Sequence, residues 1–211
     1  LGLDSRIGPR YLKGALGYGG PCFPRDNLAL AYLARQLGRP ATLAEATDAY
    51  NRAIVDHLVE KIASYVPEGG TVAVLGLSYK PDTNVVEESQ GVQLAERLTA
   101  KGVKVVVYDP VAMETAHGVL GECVGYAESM SHCLDLADVV VVANPDKAFS
   151  VIRPEALPVR SKPVVIDAWR LLRKWFEHNP QVKYQPLGIG LEDPCLKSRL
   201  KELWDEESSS D

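Results

Sequence analysis

The sequence lacks long apolar runs and an excess of positive charge, and each shortage excludes a class of protein. The strand-like run VVVVA at residues 139–143 ends at Asn144, and no stretch approaches the roughly 20 apolar residues that cross a bilayer, so no membrane span is predicted. Asp and Glu (28) outnumber Lys and Arg (23), which argues against a nucleic-acid-binding surface. The first ten residues have neither the basic start nor the apolar core of a secretory signal. We therefore expect an acidic cytoplasmic protein.

Two short motifs are also missing. The four cysteines, Cys22, Cys123, Cys133 and Cys195, show no C-x-x-C spacing, which disfavours a zinc site and a disulfide framework, although two disulfides remain formally possible. The histidines share no metal-ligand spacing with them, so no metal is predicted. No G-x-G-x-x-G follows a predicted strand, so the usual turn that binds the pyrophosphate of NAD is missing from this chain.

The amino-terminal third is predicted to be helical. Apolar residues recur at three- and four-residue steps in a first helix that starts near Asp26, and in a second helix over residues 42–66. The spaced residues are Leu28, Ala31, Tyr32 and Leu37 in the first helix, and Ile54, Leu58, Ile62 and Val66 in the second. Pro67 and the pair Gly69-Gly70 end the helical pattern, so residues 1–69 are predicted to form one unit.

From Thr71 the pattern changes to short apolar strands alternating with helices. The predicted strands are TVAVLGL, KVVVYDP, VVVVAN and PVVIDAW, with a weak strand near Val124 and a possible last strand VKYQPL. Such alternation predicts a Rossmann-like, doubly wound parallel sheet over residues 70–195, so the fold class is α/β. The charged, Ser-rich segment 196–211 is predicted to be a disordered acidic tail.

The segment GYGGPCFPRD at residues 17–26 carries the most chemical information. Its glycines predict a loop whose backbone can approach another molecule closely. Cys22 lies just before a helix, where free amide groups and the helix dipole would favour a thiolate; a buried structural thiol is the alternative. Asp26 lies about one turn further on, where it stabilises the helix N-terminus, assists proton transfer beside Cys22, or does both.

Several segments together resemble the UDP-glucose/GDP-mannose dehydrogenase family. GYGGPCFPRD resembles the family signature GGxCFPKD, and RIG at residues 6–8 has the family's spacing upstream of it. GLSYKPDTNVVEES, residues 76–89, resembles the segment GLxFKPxTDDxRES that opens the family's nucleotide-sugar-binding domain. VYDP and VIDAWR resemble later strand ends. Several motifs in the same order and at similar separations are much more specific than any one of them.

This resemblance implies an NAD-dependent dehydrogenase that oxidises the C6 alcohol of a UDP-sugar, such as UDP-glucose, to a uronate. It implies that Cys22 is the nucleophile, which forms a thiohemiacetal and then a thioester, and that Asp26 assists proton transfer or positions water. It also implies a homodimer paired through the central helices of residues 1–69, and a Rossmann domain for NAD that precedes residue 1. This chain alone is therefore not expected to bind NAD productively.

The resemblance also assigns substrate and cofactor contacts. The residues matched to substrate binding are Arg6, Lys13, Gly17, Tyr18, Gly19, Tyr79, Lys80 and Arg170. Arg6 matches an arginine that reaches the neighbouring subunit's site. Lys80 follows a strand, at the edge where parallel sheets bind ligands, and a solvated loop lysine is the alternative. Arg170 would face a diphosphate in the same way. Arg25 replaces the family's lysine and is the candidate cofactor contact.

One departure and two other classes of function stay open. Glu87 stands where the family has an arginine that contacts NAD, so the charge at this position is reversed. The chain could therefore be a non-catalytic module that binds a nucleotide sugar and dimerises. A thiol-redox protein that uses Cys22 is the third hypothesis, although no resolving cysteine is near it in the sequence.

Overall fold

The computed structural model describes residues 2–10, 12, 14–158 and 162–188. The predicted substrate contact Lys13, the end of the predicted sheet domain and the predicted acidic tail at residues 196–211 lie outside the described residues. Within these ranges, no helix is long and apolar enough to cross a membrane. The same part of the chain contains no group of three or more His, Cys, Asp or Glu side chains that could hold a metal ion.

Two helices follow the amino-terminal loop: α1, Phe23–Gln36, and α2, Thr42–Ala63. α1 begins earlier than the apolar pattern predicts, because Pro24 suits the first helical turn, where its missing N–H costs no hydrogen bond. α2 ends before residue 66, because the N–H groups of Tyr65 and Val66 donate to the carbonyls three residues earlier, rather than four as in an α-helix.

The predicted first helix is present, but its apolar spacing does not mark a buried face. Of the four spaced residues only Ala31 is buried, whereas Leu28, Tyr32 and Leu37 are 48%, 64% and 68% exposed. A periodic pattern reports where apolar side chains lie on a helix, and not what covers them. α1 therefore presents an open apolar surface.

Six strands and four further helices form the rest of the described chain. The strands are β1 Thr71–Leu75, β2 Lys104–Tyr108, β3 Gly125–Tyr126, β4 Val139–Val142, β5 Val164–Asp167 and β6 Lys183–Pro186. The helices are α3 Gln90–Ala100, α4 Met113–Leu120, α5 Met130–Asp135 and α6 Arg173–Phe176, with 3-10 segments at Gly121–Cys123, Lys147–Val151 and Pro154–Ala156. All strand pairs are parallel, in the order β3-β2-β1-β4-β5-β6. The predicted α/β fold with a parallel sheet is confirmed.

Alternate strand residues fill an apolar core on each face of the sheet. On one face Val72 and Val74 pack with α2, α3 and α4. On the other face Ala73 and Leu75 pack with α5, α6 and the segment Lys147–Val151. The strand order reverses direction between β1 and β4, and in such sheets ligands bind at the strand carboxyl ends beside this point.

The second half of α2 is part of the first core. Its core residues are at most 4% exposed; they are Val55, Leu58, Val59 and Ile62. Two ion pairs join it to α3, Arg97 to Asp56 at 2.6 Å and Lys101 to Glu60 at 2.8 Å. The sheet therefore shares its core with the helical segment. The domain boundary at residue 69 and the dimerisation role of the helices stay predictions.

Candidate functional site

The four residues 17–20, called the glycine loop below, pass through a gap that leaves no room for a Cβ at their three glycines. A Cβ at Gly17 would overlap the amide of Asn51, and one at Gly19 would overlap the carbonyl of Glu88. Gly20 has a φ of +86°, and a Cβ there would lie 2.6 Å from two ring carbons of Tyr79. The predicted loop is thus held tightly against its neighbours.

Hydrogen bonds hold the glycine loop from three sides. The backbone N–H of Tyr18 donates to Asn51 Oδ1 at 2.9 Å, and Asn51 Nδ2 donates to the carbonyl of Tyr18 at 2.8 Å. The N–H of Gly20 donates to the carbonyl of Glu87 at 2.9 Å. Asn27, on α1, donates to the Tyr18 hydroxyl at 2.8 Å. The loop is therefore fixed to α1, α2 and the segment that precedes α3.

Cys22 lies two residues beyond the glycine loop and is the N-cap residue of α1. Its thiol is free and exposed, which excludes the alternative of a buried structural thiol. No side chain caps this helix end, so the amide groups of the first turn are left for a ligand. The carbonyl of Cys22 accepts a hydrogen bond from the N–H of Asp26 at 2.8 Å, the first bond of the helix.

Arg25 and Asp26 lie together on the exposed side of the first turn of α1. Arg25 Nε is 3.5 Å from Asp26 Oδ1, and both side chains are about two-thirds exposed. A cleft of about 390 Å³ lies beside them and is also lined by Leu28, Tyr32 and Glu87. The position predicted to reverse the family's positive charge therefore faces the cleft that Arg25 lines.

The sheet's own crevice is filled by the chain itself. Asp109 follows β2, where a dinucleotide-binding sheet has the acid that holds the ribose. Its Oδ2 accepts hydrogen bonds from the amide groups of Leu77 and Ser78 at 2.8 and 3.0 Å, and its Oδ1 accepts from those of Val111 and Ala112. Asp109 is 2% exposed, so neither oxygen is free to bind ribose.

The turn after β1 is closed in the same way. Gly76, with a φ of +100°, packs against Asn144 without room for a Cβ. Asn144 Nδ2 donates to the carbonyl and the hydroxyl of Ser78 at 2.9 and 2.8 Å. Ser89 caps α3 by accepting from the N–H of Val92. The described residues of the sheet domain therefore do not fit NAD, the cofactor that the resemblance implies.

Most of the predicted substrate residues meet through two contacts, one between the glycine loop and Tyr79 and one between Arg170 and the amino-terminal loop. The glycine loop meets Tyr79, and Lys80 Nζ lies 5.3 Å from the centre of the Tyr79 ring, with Lys80 itself exposed. Arg170 reaches the amino-terminal loop, where Nη2 donates to the carbonyl of Gly14, while Nη1 donates to the carbonyl of Leu187 at 2.7 Å. These contacts bring three predicted segments to one end of the sheet.

No contact among the described residues brings Arg6 into this group. Its guanidinium forms two hydrogen bonds to Asp4, and its side chain is 87% exposed. The bonds to Arg6 hold the pKa of the Asp4 carboxyl below its usual value. A role of Arg6 in a neighbouring subunit's site stays a prediction.

The remaining described cysteines differ from Cys22. Cys133 is fully buried in the second core, and burial raises the pKa of its thiol to about 12. It therefore stays a protonated thiol at neutral pH. Cys123 is exposed and free, like Cys22, but follows α4 and begins no helix. Among the described cysteines, only Cys22 combines exposure with a helix N-terminus.

Asn51 and Gln90 are site residues that the sequence analysis missed. Both are buried, at 7% and 6% exposure, and both face Tyr18. The sequence feature that could have identified Asn51 is its spacing on α2. It lies four residues before Val55 and seven before Leu58, on the face of the helix that is buried. A buried amide on an apolar stripe needs hydrogen-bond partners, and so points to a polar contact.

Comparisons with known proteins agree with this geometry. Residues 73–174 match the UDP binding domain of the UDP-glucose/GDP-mannose dehydrogenase family, and residues 1–53 match the family's central domain. The UDP-glucose 6-dehydrogenase TuaD of Bacillus subtilis is 35% identical over 176 residues, which cover 81% of this chain and 38% of TuaD. AglM of Haloferax volcanii, also a UDP-glucose 6-dehydrogenase, is 34% identical over 175 residues, 82% of this chain and 40% of AglM.

The fold has a matching solved structure. A UDP-glucose dehydrogenase from the archaeon Pyrobaculum islandicum aligns with a TM-score of 0.75 and 34% identity, over 87% of this chain and 41% of that chain. The chain thus spans about two-fifths of the length of these three relatives.

Proposed function

Because the chain belongs to the UDP-glucose/GDP-mannose dehydrogenase family, we propose that it forms the substrate-binding and nucleophile-bearing part of a nucleotide-sugar dehydrogenase. The proposed substrate is a UDP-sugar such as UDP-glucose, whose C6 alcohol is oxidised to a carboxylate. The observation that carries the proposal is the exposed thiol of Cys22 at an uncapped helix N-terminus, directly after a rigid glycine loop.

Cys22 is the proposed nucleophile towards an aldehyde at C6. Its sulfur bonds to the carbonyl carbon, and the carbonyl oxygen gains a proton, which gives a thiohemiacetal. Loss of hydride from that carbon and of the proton from its hydroxyl leaves a thioester, and water then releases the carboxylate and restores the thiol. The free amide groups of the first turn of α1, such as that of Arg25, support this role because they can stabilise the negative oxygen of the adduct.

Asp26 is the proposed partner of Cys22 in moving protons. Its exposed carboxylate lies one helical turn beyond Cys22, and Arg25 at 3.5 Å supplies a nearby positive charge. A carboxylate there can orient the water that attacks the thioester and accept its proton. The same carboxylate also complements the positive end of the α1 dipole.

The four-electron oxidation releases two hydrides, for which NAD is the acceptor that the family implies. The crevice around Asp109 and Gly76 does not fit that cofactor, so we propose that NAD binds mainly outside the described residues. Arg25 is the candidate contact of this chain to it, because it lines an open cleft together with Pro21, the residue before Cys22. Glu87 lines the same cleft and would repel a phosphate group, which favours an uncharged part of a cofactor there.

The proposed contacts to the nucleotide sugar come from the carboxyl end of the sheet. Lys80 follows β1 and supplies an exposed positive charge for a diphosphate, and Tyr79 supplies a ring against the glycine loop. Arg170 is already bonded to two carbonyls, so we assign it to holding the amino-terminal loop around the substrate. Gly17 and Gly19 are proposed to contact the substrate through their backbone. Tyr18, whose backbone N–H and carbonyl are bonded to Asn51, is proposed to contact it through its side chain.

Homodimerisation through the helices is part of the proposal. A groove of about 500 Å³ runs along the first half of α2, and large apolar side chains flank it, with Leu43 85% and Tyr50 70% exposed. Exposed apolar groups of this size favour a protein contact. In light scattering, Leu43→Glu should shift a dimer towards monomer, whereas Val151→Glu, at an exposed site away from α2, should not. If the wild-type protein stays monomeric at high concentration, the proposed dimer is wrong.

The function is tested by the rate at which iodoacetamide alkylates each cysteine, followed by peptide mass spectrometry. UDP-glucose at ten times its Kd should slow alkylation of Cys22 about tenfold, because bound substrate covers the thiol. Alkylation of Cys123, the matched exposed cysteine, should not change. GDP-mannose serves as the comparison ligand. Unchanged alkylation of Cys22 in saturating UDP-glucose would contradict the proposal.

A non-catalytic binding module is the second candidate, and the crevice that Asp109 and Gly76 close to NAD favours it. The two candidates differ in the chemistry of Cys22. When the chain is combined with a family NAD-binding domain, the enzyme hypothesis expects uronate formation that Cys22→Ser abolishes while UDP-glucose still binds. Binding of UDP-glucose without any oxidation in that assembly would favour the module.

A further inference from the structure

Asn51 holds the glycine loop by a two-point contact. Its side-chain oxygen accepts from the N–H of Tyr18 at 2.9 Å, and its side-chain nitrogen donates to the carbonyl of the same residue at 2.8 Å. Gly17 fits against this amide because it has no Cβ. Gln90, from the first turn of α3, approaches the same carbonyl at 3.5 Å. Both backbone polar groups of Tyr18 thus depend on one buried side chain.

The position of Asn51 on α2 argues that this residue does more than pack against the core. Val55, Leu58 and Ile62 continue the same buried stripe, where an apolar residue would pack without any need for partners. Burying an amide costs free energy unless it is hydrogen-bonded. The hydrogen bonds of the Asn51 side chain go to Tyr18 alone, so this residue serves the loop.

We infer that Asn51 is a positioning residue that holds the glycine loop, and through it Cys22, in the geometry that receives the nucleotide sugar. Cys22 follows Tyr18 by four residues, and Asn27 on α1 donates to the Tyr18 hydroxyl at 2.8 Å, so a displacement of Tyr18 is passed to the start of α1. This inference rests on the proposed function for the identity of the ligand.

Asn51→Asp separates positioning from packing, because aspartate has nearly the same shape. A protonated carboxyl accepts from the Tyr18 N–H and donates to the Tyr18 carbonyl, as the amide does. An ionised carboxylate cannot donate, and it places a negative oxygen against the carbonyl. The variant should therefore bind UDP-glucose like wild type at low pH and lose affinity relative to wild type as the pH rises.

Other titratable groups surround position 51 and require a wild-type reference at each pH. On α2 they are Asp48 and Arg52, which form an ion pair at 3.0 Å. From the other packed segments, Glu88 precedes α3 and the Tyr18 hydroxyl lies on the glycine loop. The ratio of variant to wild-type Kd at each pH removes their contribution, because both proteins contain them.

The experiment measures the Kd for UDP-glucose between pH 5 and pH 8, together with urea unfolding. Asn51→Ala should raise the Kd about tenfold or more at every pH, since two hydrogen bonds are lost. Burial and the facing carbonyl raise the pKa of the new carboxyl, so Asn51→Asp should move towards wild type as the pH falls to 5 and approach Asn51→Ala at pH 8. Val59→Ala, two turns further along α2 and buried in the core without a hydrogen bond to the loop, should change the Kd little. Equal Kd values for wild type and both Asn51 variants at pH 8 would overturn the inference while leaving the function intact.

A second readout separates the inference from the proposed function. The exchange rate of the Tyr18 amide hydrogen needs no ligand, and it should rise about tenfold or more in Asn51→Ala at unchanged pH. If wild type binds no UDP-sugar, the proposed function fails, and the exchange rate still decides whether Asn51 holds the loop. Unchanged exchange in that variant refutes the inference.

Discussion

Replacing Gly20 with alanine should destabilise the protein more than replacing Gly8, although both glycines have positive φ. Gly20 has a φ of +86° and Gly8 a φ of +78°. A Cβ at Gly20 would lie 2.6 Å from two ring carbons of Tyr79, whereas a Cβ at Gly8 would meet no heavy atom within 4 Å. Both alanine variants therefore carry the strain of a positive φ, and only Gly20→Ala adds a clash with the Tyr79 ring.

The two contributions can be estimated separately. Alanine in a left-handed conformation costs about 1–2 kcal/mol, which applies to both variants. Forcing a Cβ against the Tyr79 ring adds about 1–3 kcal/mol, as for overpacking in a core. Gly20→Ala should thus lose about 2–5 kcal/mol of unfolding free energy. Gly8→Ala should lose about 1–2 kcal/mol.

Urea denaturation of both variants measures the difference. Tyr79→Ala in the Gly20→Ala protein should recover part of the lost stability, because it removes the ring that the new methyl group meets. The UDP-glucose affinity of Gly20→Ala should fall as well, since the loop must move. Equal unfolding midpoints for Gly20→Ala and Gly8→Ala would refute the close contact between the glycine loop and Tyr79.

Three further predictions follow from burial and hydrogen bonding. Ile62→Ala should cost about 2–5 kcal/mol in urea unfolding, because Ile62 is fully buried between α2 and the sheet; unchanged stability would show that α2 is not part of that core. Burial raises the pKa of Cys133 from 9.0 to about 12, so its contribution to stability is complete below pH 9 and is lost as the pH rises towards 12. Cys133→Val should weaken that alkaline loss, and equal pH profiles would contradict it. Arg170→Ala should make trypsin cut the amino-terminal loop after Arg10 faster, because the bond to Gly14 is lost; Arg170→Lys should not restore protection, since one ammonium group cannot replace the two-sided guanidinium contact.

The parallel sheet could be predicted because its signal is local. Each central strand is apolar on both faces, as Val139–Val142 shows by being entirely buried, and such strands between helices favour a doubly wound sheet. Cys22 could be placed at a helix start for the same reason, since glycines precede it and Pro24 follows it. For this helix, the structure differs from the prediction only in the residue at which α1 begins.

The contacts that build the site could not be predicted from local pattern. Asn51 binds a residue 33 positions earlier in the chain, and Arg170 binds one 156 positions earlier. Periodicity places these residues on a helix or after a strand, but it does not say which loop folds against them. The open surface of α1 has the same cause, because amphipathic spacing does not name the partner that covers it.

Two buried aspartates, at the ends of β2 and β5, support the proposal that the ligand binds at the glycine loop rather than inside the sheet. Asp109 after β2 is saturated by backbone amide groups, and Asp167 at the end of β5 accepts from the amide groups of Trp169 and Leu172 and from the Tyr184 hydroxyl. Burial and this carboxylate raise the pKa of Tyr184, so the hydroxyl keeps its proton. Because both carboxylates are taken up by hydrogen bonds within turns, neither is free to bind a nucleotide. The exposed ammonium of Lys80 and the exposed thiol of Cys22 carry no such bonds among the described residues, and they are the groups proposed for a diphosphate and a carbonyl carbon.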